Sequence, residues 1–463
     1  MRWYSASLLW CLSQPIACPS THGEDMKLRS VSKVLLQALL MTLLSSATFA
    51  EPLSLSAGLK IVTEDNRLIK ISEEEEKLSQ GDTLIARSRL LPRVDAPASQ
   101  TYLQYSPTVI ISQGGPGVKA PTAQSDYYSY GIVMRQLLFD FLGAYSGYEA
   151  SKLALEAKKM DTRRTRNLVA LQFSALYFDL LESEKAITVV ESEKDSLETH
   201  LRQARDLFAE GVITKNDLLQ AEVKLSDARQ RLLTVQNMRK VNEARVNTML
   251  TRPLSTKVES VEVTRSVSTA APLDSAMESA EKERPELQIA ELTLKVIDRD
   301  ETAKKSEFLP KFFAEGGYNY TQNRYQVYPG QWSINFVMNF NLFSGLSTTA
   351  ELEKIRSQRM RVIQQKSKLG EDIRLELEKY YLDVTNAAER LSVTKSATAQ
   401  AEENLRINKV KYAEGVGVAT DVTDAIALLT LAKTNYYRSL YDYYRSEAGY
   451  MYATGKDLRD VYQ

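Results

Sequence analysis

Hydrophobic residues recur at intervals of three and four along much of the chain, and this interval predicts amphipathic helices. The clearest stretch follows Gly211 and is repeated after Gly415, 204 residues later. The two seams contain Leu218, Ala221, Leu225, Ala228, Leu232 and Val235 in the first copy, and Val422, Ala425, Leu429 and Ala432 in the second. Large and small residues at coiled-coil a and d spacing favour closely packed helices. An ordinary antiparallel helical hairpin explains this seam as well as a more specialised structure does.

Both copies begin where a long helical run ends. The tetrapeptide Ala-Glu-Gly-Val occupies residues 209–212 and again residues 413–416, and glycine directly after a helix is typical of a left-handed C-terminal turn. A few residues later, Asn216-Asp217 and Thr420-Asp421 supply side chains suited to cap the start of a new helix. Each copy therefore predicts the tip of a helical hairpin.

An alternation with a period of two precedes each long helix. Between Trp332 and Phe343, apolar residues alternate with mostly polar ones, which predicts a strand with one apolar face. Tyr128–Phe139 is its counterpart at the same offset of 204 residues, and Phe312–Gln322 and, with a weaker pattern, Val94–Gln104 predict the strands that come before them. The apolar positions of the clearest strand are Trp332, Ile334, Phe336, Met338, Phe340 and Leu342.

Tyrosines and a tryptophan gather at the loop ends of these strands. Strands of about ten alternating residues with aromatic belts are typical of outer-membrane barrels, and the edge of a soluble β-sandwich is the alternative. A barrel needs about eight strands to close. Four strands that cross a membrane therefore require several subunits.

The stretches after the strands predict very long helices. Proline is absent between Pro121 and Pro253 and after Pro329, and the runs between Gly147 and Gly211 and between Gly345 and Gly415 contain no glycine except Gly370. At 1.5 Å per residue, each of these helices would extend roughly 90–100 Å. This length is far more than a globular domain needs.

The composition excludes several classes of function. Of the 463 residues, 43% are hydrophobic and 25% are charged, so a single large globular core is not expected. Lys+Arg and Asp+Glu both number 59, so no excess of basic residues indicates nucleic-acid binding. The only histidines are His22 and His200, and no cysteine nucleophile or phosphate-cradling loop is present in the expected mature chain. No catalytic site, metal or cofactor is therefore predicted, and an enzyme is not expected.

The first 50 residues are expected to be removed by processing. Lys27 and Arg29, an apolar run over residues 34–44 and small residues up to Ala50 match a secretory signal peptide. Residues 1–25 are then interpreted as an upstream extension. Lipid attachment at Cys18 is the alternative, but it leaves the second apolar leader unexplained.

Taken together, these motifs resemble the TolC family of outer-membrane efflux and secretion ducts over nearly all of residues 51–463. The resemblance depends on short motifs that recur in the same order in both halves of the chain. They are Leu-Pro at residues 91–92 and 309–310, Leu138-Phe139-Asp140 and Leu342-Phe343-Ser344-Gly345 after the strands, Gly-Val at both tips, and Asp421-Val422-Thr423-Asp424-Ala425. The family implies an α+β membrane protein with a duplicated unit. Each subunit of a homotrimer would give four strands to a twelve-stranded outer-membrane β-barrel and very long helices to a periplasmic α-barrel.

Under this resemblance the chain divides into nine segments. They are the extension and signal peptide (1–50), an N-terminal periplasmic helix (51–91), the first β-hairpin (92–140), the first long helical hairpin (141–250), an equatorial segment (251–285), a short helix of the second repeat (286–309), the second β-hairpin (310–344), the second long helical hairpin (345–453) and a C-terminal tail (454–463).

The resemblance also implies roles for particular residues. Asp421 and Asp424 would form a pore constriction, because three-fold symmetry would bring six carboxylates around one axis. The tips would dock a periplasmic adaptor protein through Gly211, Val212, Thr214, Gly415, Val416 and Gly417. Trp332, Ile334, Phe336, Met338 and Phe340 would face outer-membrane lipid.

The implied function is an outer-membrane exit duct of a tripartite efflux or type I secretion system. Its partners would be two further copies of the chain, a periplasmic adaptor and an inner-membrane ABC or proton-driven transporter, and no nucleic acid. The alternative is a periplasmic coiled-coil adaptor or structural tether without a channel. That alternative has no need of the strands over 94–139 and 312–343.

Overall fold

The computed structural model describes residues 52–112, 114–267 and 271–462. The predicted upstream extension and signal peptide lie outside these residues. In chain order the elements are α1 (Leu55–Asp65), α2 (Arg67–Ser88), β1 (Arg93–Asp95), β2 (Ala98–Tyr102), β3 (Thr108–Ile111), β4 (Val118–Pro121), β5 (Asp126–Phe139), α3 (Gly143–Ala209), α4 (Lys215–Met249), α5 (Leu273–Glu283), α6 (Pro285–Lys305), β6 (Lys311–Thr321), β7 (Gly330–Asn339), α7 (Ser347–Ala413), α8 (Ala419–Ala453) and α9 (Leu458–Val461).

The internal duplication is visible in the lengths of the helices. Helices α3 and α7 each contain 67 residues, and α4 and α8 each contain 35. The second member of each pair begins and ends 204 residues after the first. At 1.5 Å per residue, α3 and α7 are about 100 Å long. The prediction of very long helices is confirmed.

A short left-handed turn lies directly before each of the two longest helices, α3 and α7. In the second half this turn consists of Gly345 (φ +60°) and Leu346 (φ +66°), and in the first half of Phe141 (φ +54°) and Leu142 (φ +69°). In the first half a phenylalanine replaces the glycine of this turn. There the carboxylate of Asp140 stabilises the start of the helix, because it accepts a 2.6 Å hydrogen bond from the backbone N–H of Ala144. The left-handed conformation explains the glycine at position 345 in the second half, and in the first half the hydrogen bond to Asp140 holds the first turn of α3.

Five of the strands form one antiparallel sheet in the order β1/β2–β5–β6–β7, and β3 and β4 pair with each other in a second sheet. The predicted strand over Val94–Gln104 is wrong as a single element, because it is interrupted at Pro97. Proline has no N–H to donate to a ladder, and β1 and β2 instead pair with successive parts of β5. They act together as one interrupted edge strand.

The predicted strand over Trp332–Phe343 is shorter in the structure. Strand β7 ends at Asn339, which pairs with Lys311, the first residue of β6. Pro310 precedes Lys311 and cannot extend the ladder. Phe340, predicted as part of this strand, therefore lies one residue beyond it. Its side chain is exposed.

The predicted single helix over residues 51–91 is also wrong. The structure divides it at Asn66, whose side-chain oxygen accepts a 2.9 Å hydrogen bond from the N–H of Leu68 and starts α2. The Asn66 amide nitrogen donates to the carbonyl of Met249, 183 residues away. Because this polar residue is held at the end of α4, the chain changes direction there.

The main apolar cluster surrounds the middle of α3 and the second half of α8. Helix α1, the segment after α4 and the C-terminal residues all contribute side chains to it. The Tyr177 hydroxyl lies 2.7 Å from the carbonyl oxygens of Leu53 and Val261 and accepts a hydrogen bond from the N–H of Val261. This cluster fixes the non-repeated segments of the chain to the long helices. Its largest fully buried side chains include Leu59, Phe173, Tyr177, Tyr441, Tyr443, Tyr450 and Leu458.

Across the described residues, no helix combines the length and the apolar character that crossing a lipid bilayer requires.

Candidate functional site

The two hairpin tips share a backbone turn that glycine makes possible. Gly211 and Gly415 both have φ of +76°, a conformation that strains residues with a Cβ. At the first tip the N–H of Val212 donates to the carbonyl of Leu207 at 2.9 Å, and at the second the N–H of Val416 donates to Lys411 at 3.0 Å. The tip glycines therefore end helices, whatever else the tips contact.

The start of α4 is capped by Thr214, which was not predicted, together with Asp217, which was. Thr214 is the N-cap, and its hydroxyl accepts a hydrogen bond from the N–H of Asp217. The Asp217 carboxylate accepts in return from the Thr214 backbone N–H at 3.0 Å and from its hydroxyl at 2.7 Å, which completes a capping box. These hydrogen bonds, the one from the hydroxyl first, lower the pKa of the Asp217 carboxyl below its ordinary value. Asn216 and Asp217 lie inside the helix rather than before it.

The second tip lacks this device. The N-cap of α8 is Val418, which makes no side-chain cap hydrogen bond, so the prediction that Thr420-Asp421 caps this helix is wrong. Asp421 takes the position equivalent to Asp217, yet within the described chain its carboxylate has no hydrogen-bond or ion-pair partner. Capping therefore does not account for Asp421.

Asp424 lies one turn further along α8 and is also exposed. The residues between and beside the two carboxylates, Val422 and Ala425, are 2% and 3% exposed and face the neighbouring helices. Two carboxylates thus project together from the outer surface of α8. Their meeting with the carboxylates of other subunits stays a prediction.

The seams of both hairpins join in one apolar cluster near the tips. Ala221, Leu225 and Ala228 of the first seam and Val422 and Ala425 of the second are buried in it, and Leu218 and Leu429 pack against it. Side chains from α3 and α7 complete the cluster. The four helices therefore pack as a unit at this end of the molecule.

Sequence reasoning missed the contact between His200 and Tyr412 inside this cluster. His200 is 2% exposed, and its ring centre lies 5.2 Å from that of Tyr412. Among the described residues, neither ring nitrogen of His200 nor the Tyr412 hydroxyl has a hydrogen-bond partner. Burial, and secondarily the charge of Lys409, lower the pKa of His200 below its ordinary value. The only signal in the sequence is that His200 lies on the buried side of a long helix.

The sheet has two different faces, which the register of β5, β6 and β7 defines. One face carries Met134, Gly316 and Ile334 in one cross-strand row and Gln136, Ala314 and Phe336 in the next. The other face carries the row Arg135, Glu315 and Asn335, in which Arg135 and Glu315 form a 3.0 Å ion pair. One side of the sheet is therefore mainly apolar, and the other carries this polar row beside the apolar row Leu137, Phe313 and Val337.

The apolar face is uncovered in the subunit. Trp332, Ile334 and Phe336 are 79%, 77% and 79% exposed, and Met338 is 59% exposed. At the loop end of the sheet, the rings of Tyr128 and Tyr130 stack on Tyr320 with centres 5.9 and 4.9 Å apart. An apolar sheet face bounded by stacked tyrosines is typical of a strand pair that crosses a membrane.

Comparisons with known proteins agree with this geometry. The sequence model described as "Outer membrane efflux protein" matches residues 60–252 and 276–456. The chain is 22% identical over 431 residues to the outer membrane protein TolC of Vibrio cholerae, which covers 90% of this chain and 94% of that protein.

Solved structures share the fold. A membrane protein from Pseudomonas aeruginosa superposes with a TM-score of 0.75 at 15% identity and covers 87% of this chain and 90% of its own. The outer membrane protein VceC from Vibrio cholerae superposes with a TM-score of 0.72 at 14% identity and covers 87% of this chain and 96% of its own. With two long helical hairpins, a sheet with an exposed apolar face and a family match over most of its length, the chain belongs to the outer membrane efflux protein family and is a component of an outer-membrane exit duct.

Proposed function

We propose that three copies of this chain form the duct and that each copy contributes its sheet to a shared twelve-stranded barrel. Counted with β1 and β2 as one interrupted strand, each sheet supplies four strands. The observation that carries this proposal is the pair of open sheet edges. Among the described strands, β7 pairs only with β6, and β1 and β2 pair only with β5. An open edge presents unpaired N–H and C=O groups, which a membrane does not tolerate. Pairing β7 of one copy with β1 and β2 of the next removes both edges, and three copies exceed the minimum of about eight strands.

The long helices extend the barrel into the periplasm. Helix α3 begins four positions after the end of β5, and α7 begins eight positions after the end of β7, so three subunits bring six helices of about 100 Å to the base of the barrel. A tube of this kind carries substrates past the periplasm without releasing them there. The apolar sheet face contacts outer-membrane lipid, and the polar face lines the interior.

The duct would receive its substrates from an inner-membrane ABC or proton-driven transporter through a periplasmic adaptor, in a tripartite efflux or type I secretion system. The family description supports efflux as the process. The exposed tips support adaptor docking, since Val212 and Val416 are 64% and 75% exposed at the far ends of the helical hairpins. Gly211, Thr214, Gly415 and Gly417 would shape the same surface through their turns.

Asp421 and Asp424 would form the constriction of the duct. This role is supported by the exposure of both carboxylates and by the lack of a hydrogen-bond or ion-pair partner for either among the described residues. Six carboxylates around a three-fold axis would attract cations and bind multivalent ones. Asp217, the repeat counterpart of Asp421, is engaged in its capping box and would not contribute.

The test of the duct is assembly in the outer membrane together with loss of export. The full chain should be extracted with outer-membrane proteins and should migrate as a heat-modifiable trimer on gels, and its deletion should sensitise the host to substrates of the paired transporter. A chain recovered without detergent as a monomer, with unchanged export in the deletion strain, would contradict the proposal. That result would favour the alternative of a periplasmic coiled-coil tether.

A further inference from the structure

Beyond the main sheet, the chain carries a second and separate β-hairpin. Strands β3 and β4 pair with each other and not with any other described strand, and they are inserted between β2 and β5. The second half of the chain has only the turn over residues 322–329 at the equivalent place, between β6 and β7. We call β3 and β4 the outer hairpin. Each subunit has one, so a trimer has three.

The register of the outer hairpin gives it one wholly apolar face. Val109 pairs with Ala120, and Ile111 pairs with Val118, so these four side chains share one side. The other side carries the pairs Thr108 with Pro121 and Ile110 with Lys119. One face is therefore free of polar side chains, while the other bears a charge.

Nothing within the described subunit covers the apolar face. Val109, Ile111 and Val118 are 44%, 53% and 69% exposed. A two-stranded hairpin of four residues per strand is at best marginally stable in water on its own. The outer hairpin thus requires a further apolar surface to hold its structure.

The outer hairpin lies beyond the loop end of the main sheet, on the side away from the helices. Its base is fixed there, because the N–H of Thr122 donates to the carbonyl of Pro107 at 2.8 Å and the side-chain nitrogen of Asn323 donates to the carbonyl of Thr122 at 3.1 Å. The stacked tyrosines at the start of β5 and the end of β6 lie between the hairpin and the middle of the sheet. Since such aromatic residues mark the level of the lipid headgroups, acyl chains are not available to cover the apolar face.

The dimensions of the proposed barrel suit contact between hairpins. Twelve strands about 4.8 Å apart and tilted by about 40° enclose a cylinder with a radius of about 12 Å. The strands of the outer hairpin, with four residues each, extend about 13 Å at about 3.3 Å per residue. A hairpin that leans inward from the rim therefore reaches the three-fold axis.

We propose that the apolar faces of three outer hairpins pack against one another on the three-fold axis at the outer mouth of the duct. The occupant of each face is thus a second copy of this chain, and the inference rests on the trimer proposed above. Three identical faces can meet on such an axis, because a cyclic arrangement of three copies closes on itself. The charged side of each hairpin, with Lys119, then faces outward to water.

Cysteine cross-linking tests this arrangement with a matched pair of variants. Cys11 and Cys18 are replaced by serine in every sample, and Ile111→Cys, on the apolar face, is compared with Ile110→Cys, on the opposite face of the same strand. The purified full-length protein is treated with copper phenanthroline and analysed on non-reducing gels. Ile111→Cys should give a covalent dimer within each trimer, and Ile110→Cys should remain largely monomeric on the gel.

Two further measurements on the same samples separate the possible failures. The mass of the native assembly reports whether a trimer exists, and a species other than a trimer overturns both the proposed assembly and this inference. A trimer in which Ile111→Cys does not cross-link and reacts freely with a maleimide-polyethylene glycol overturns only the hairpin contact. If the protein is a trimer and Ile111→Cys neither cross-links nor reacts with the maleimide, another molecule covers the apolar face. That result also overturns the hairpin contact. If Ile111→Cys prevents folding, Val118→Cys on the same face takes its place.

Discussion

Arginine substitutions along β7 test which face of the sheet meets lipid and how deep each residue lies. Strand β7 has ten residues, so at about 3.3 Å per residue and a tilt of about 40° it covers a height of about 25 Å, which is the height of the apolar band of such barrels. Its middle lies between Ile334 and Asn335. Phe336 is then about 4 Å from the midplane, and Met338 is about 9 Å from it and close to the headgroups.

These depths give different expected costs. An arginine on the lipid face costs about 2–4 kcal/mol near the midplane and about 0–1 kcal/mol near the interface. Phe336→Arg should therefore destabilise insertion by about 2–4 kcal/mol per subunit and Met338→Arg by about 1 kcal/mol or less. Because a trimer contains three copies, Phe336→Arg should nearly abolish the heat-modifiable trimer in outer-membrane extracts, whereas Met338→Arg should only reduce it.

The matched control is Asn335→Arg. Asn335 is adjacent to Phe336 in the strand, but its side chain lies on the opposite, polar face. Asn335 is paired across the ladder with Glu315, so the new guanidinium lies in a polar row beside a carboxylate. Its trimer yield should equal that of the unmodified protein. The reasoning is refuted if Asn335→Arg is the defective variant, or if Phe336→Arg assembles as well as Asn335→Arg does.

Three further predictions concern the tips. In planar bilayers the duct should be cation-selective and blocked by trivalent cations from the periplasmic side, and Asp421→Ala with Asp424→Ala should weaken this block without reducing the trimer yield. Tryptophan at Val212 or Val416 should abolish export and leave a folded trimer, because both side chains are exposed where an adaptor would dock. Packing around His200 should loosen as the pH falls through the ordinary histidine pKa of about 6.5, because burial lowers the pKa of the folded-state imidazole and protonation then favours the open state. Hydrogen exchange of residues 197–204 at pH 7.5 and pH 5.5, compared with His200→Phe at each pH, measures this loosening.

Each of these predictions has a control and a contrary outcome. Asp217→Ala should leave the trivalent block unchanged, since its carboxylate is used in the capping box, and an unchanged block in the double variant would remove Asp421 and Asp424 from the pore. Normal export by both tryptophan variants would mean that docking does not use the tips. If His200→Phe loosens in acid as much as the unmodified protein, a group other than His200 titrates there.

The caps of the two tips show where sequence reasoning stops. The positions of the tips followed from Ala-Glu-Gly-Val and its repetition, since a left-handed glycine ends a helix by local backbone geometry alone. The choice of capping residue did not follow, because Asp217 and Asp421 occupy equivalent positions in the sequence. Only the residue three positions earlier, Thr214 in one case and Val418 in the other, decides whether a capping box forms.

The sequence by itself determined the features that depend on local periodicity. The offset of 204 residues, the helix lengths and the alternation along β5 and β7 all follow from which residues recur at which interval and from where proline and glycine are absent. Tertiary structure alone decided the features that depend on partners distant in the chain. Asn66 divides the N-terminal helix because Met249 offers it a carbonyl, and His200 is buried because Tyr412, more than two hundred residues later, packs against it. A pattern along the chain fixes which side of an element is apolar, but the residue that meets that side is set by the folded arrangement of the whole chain.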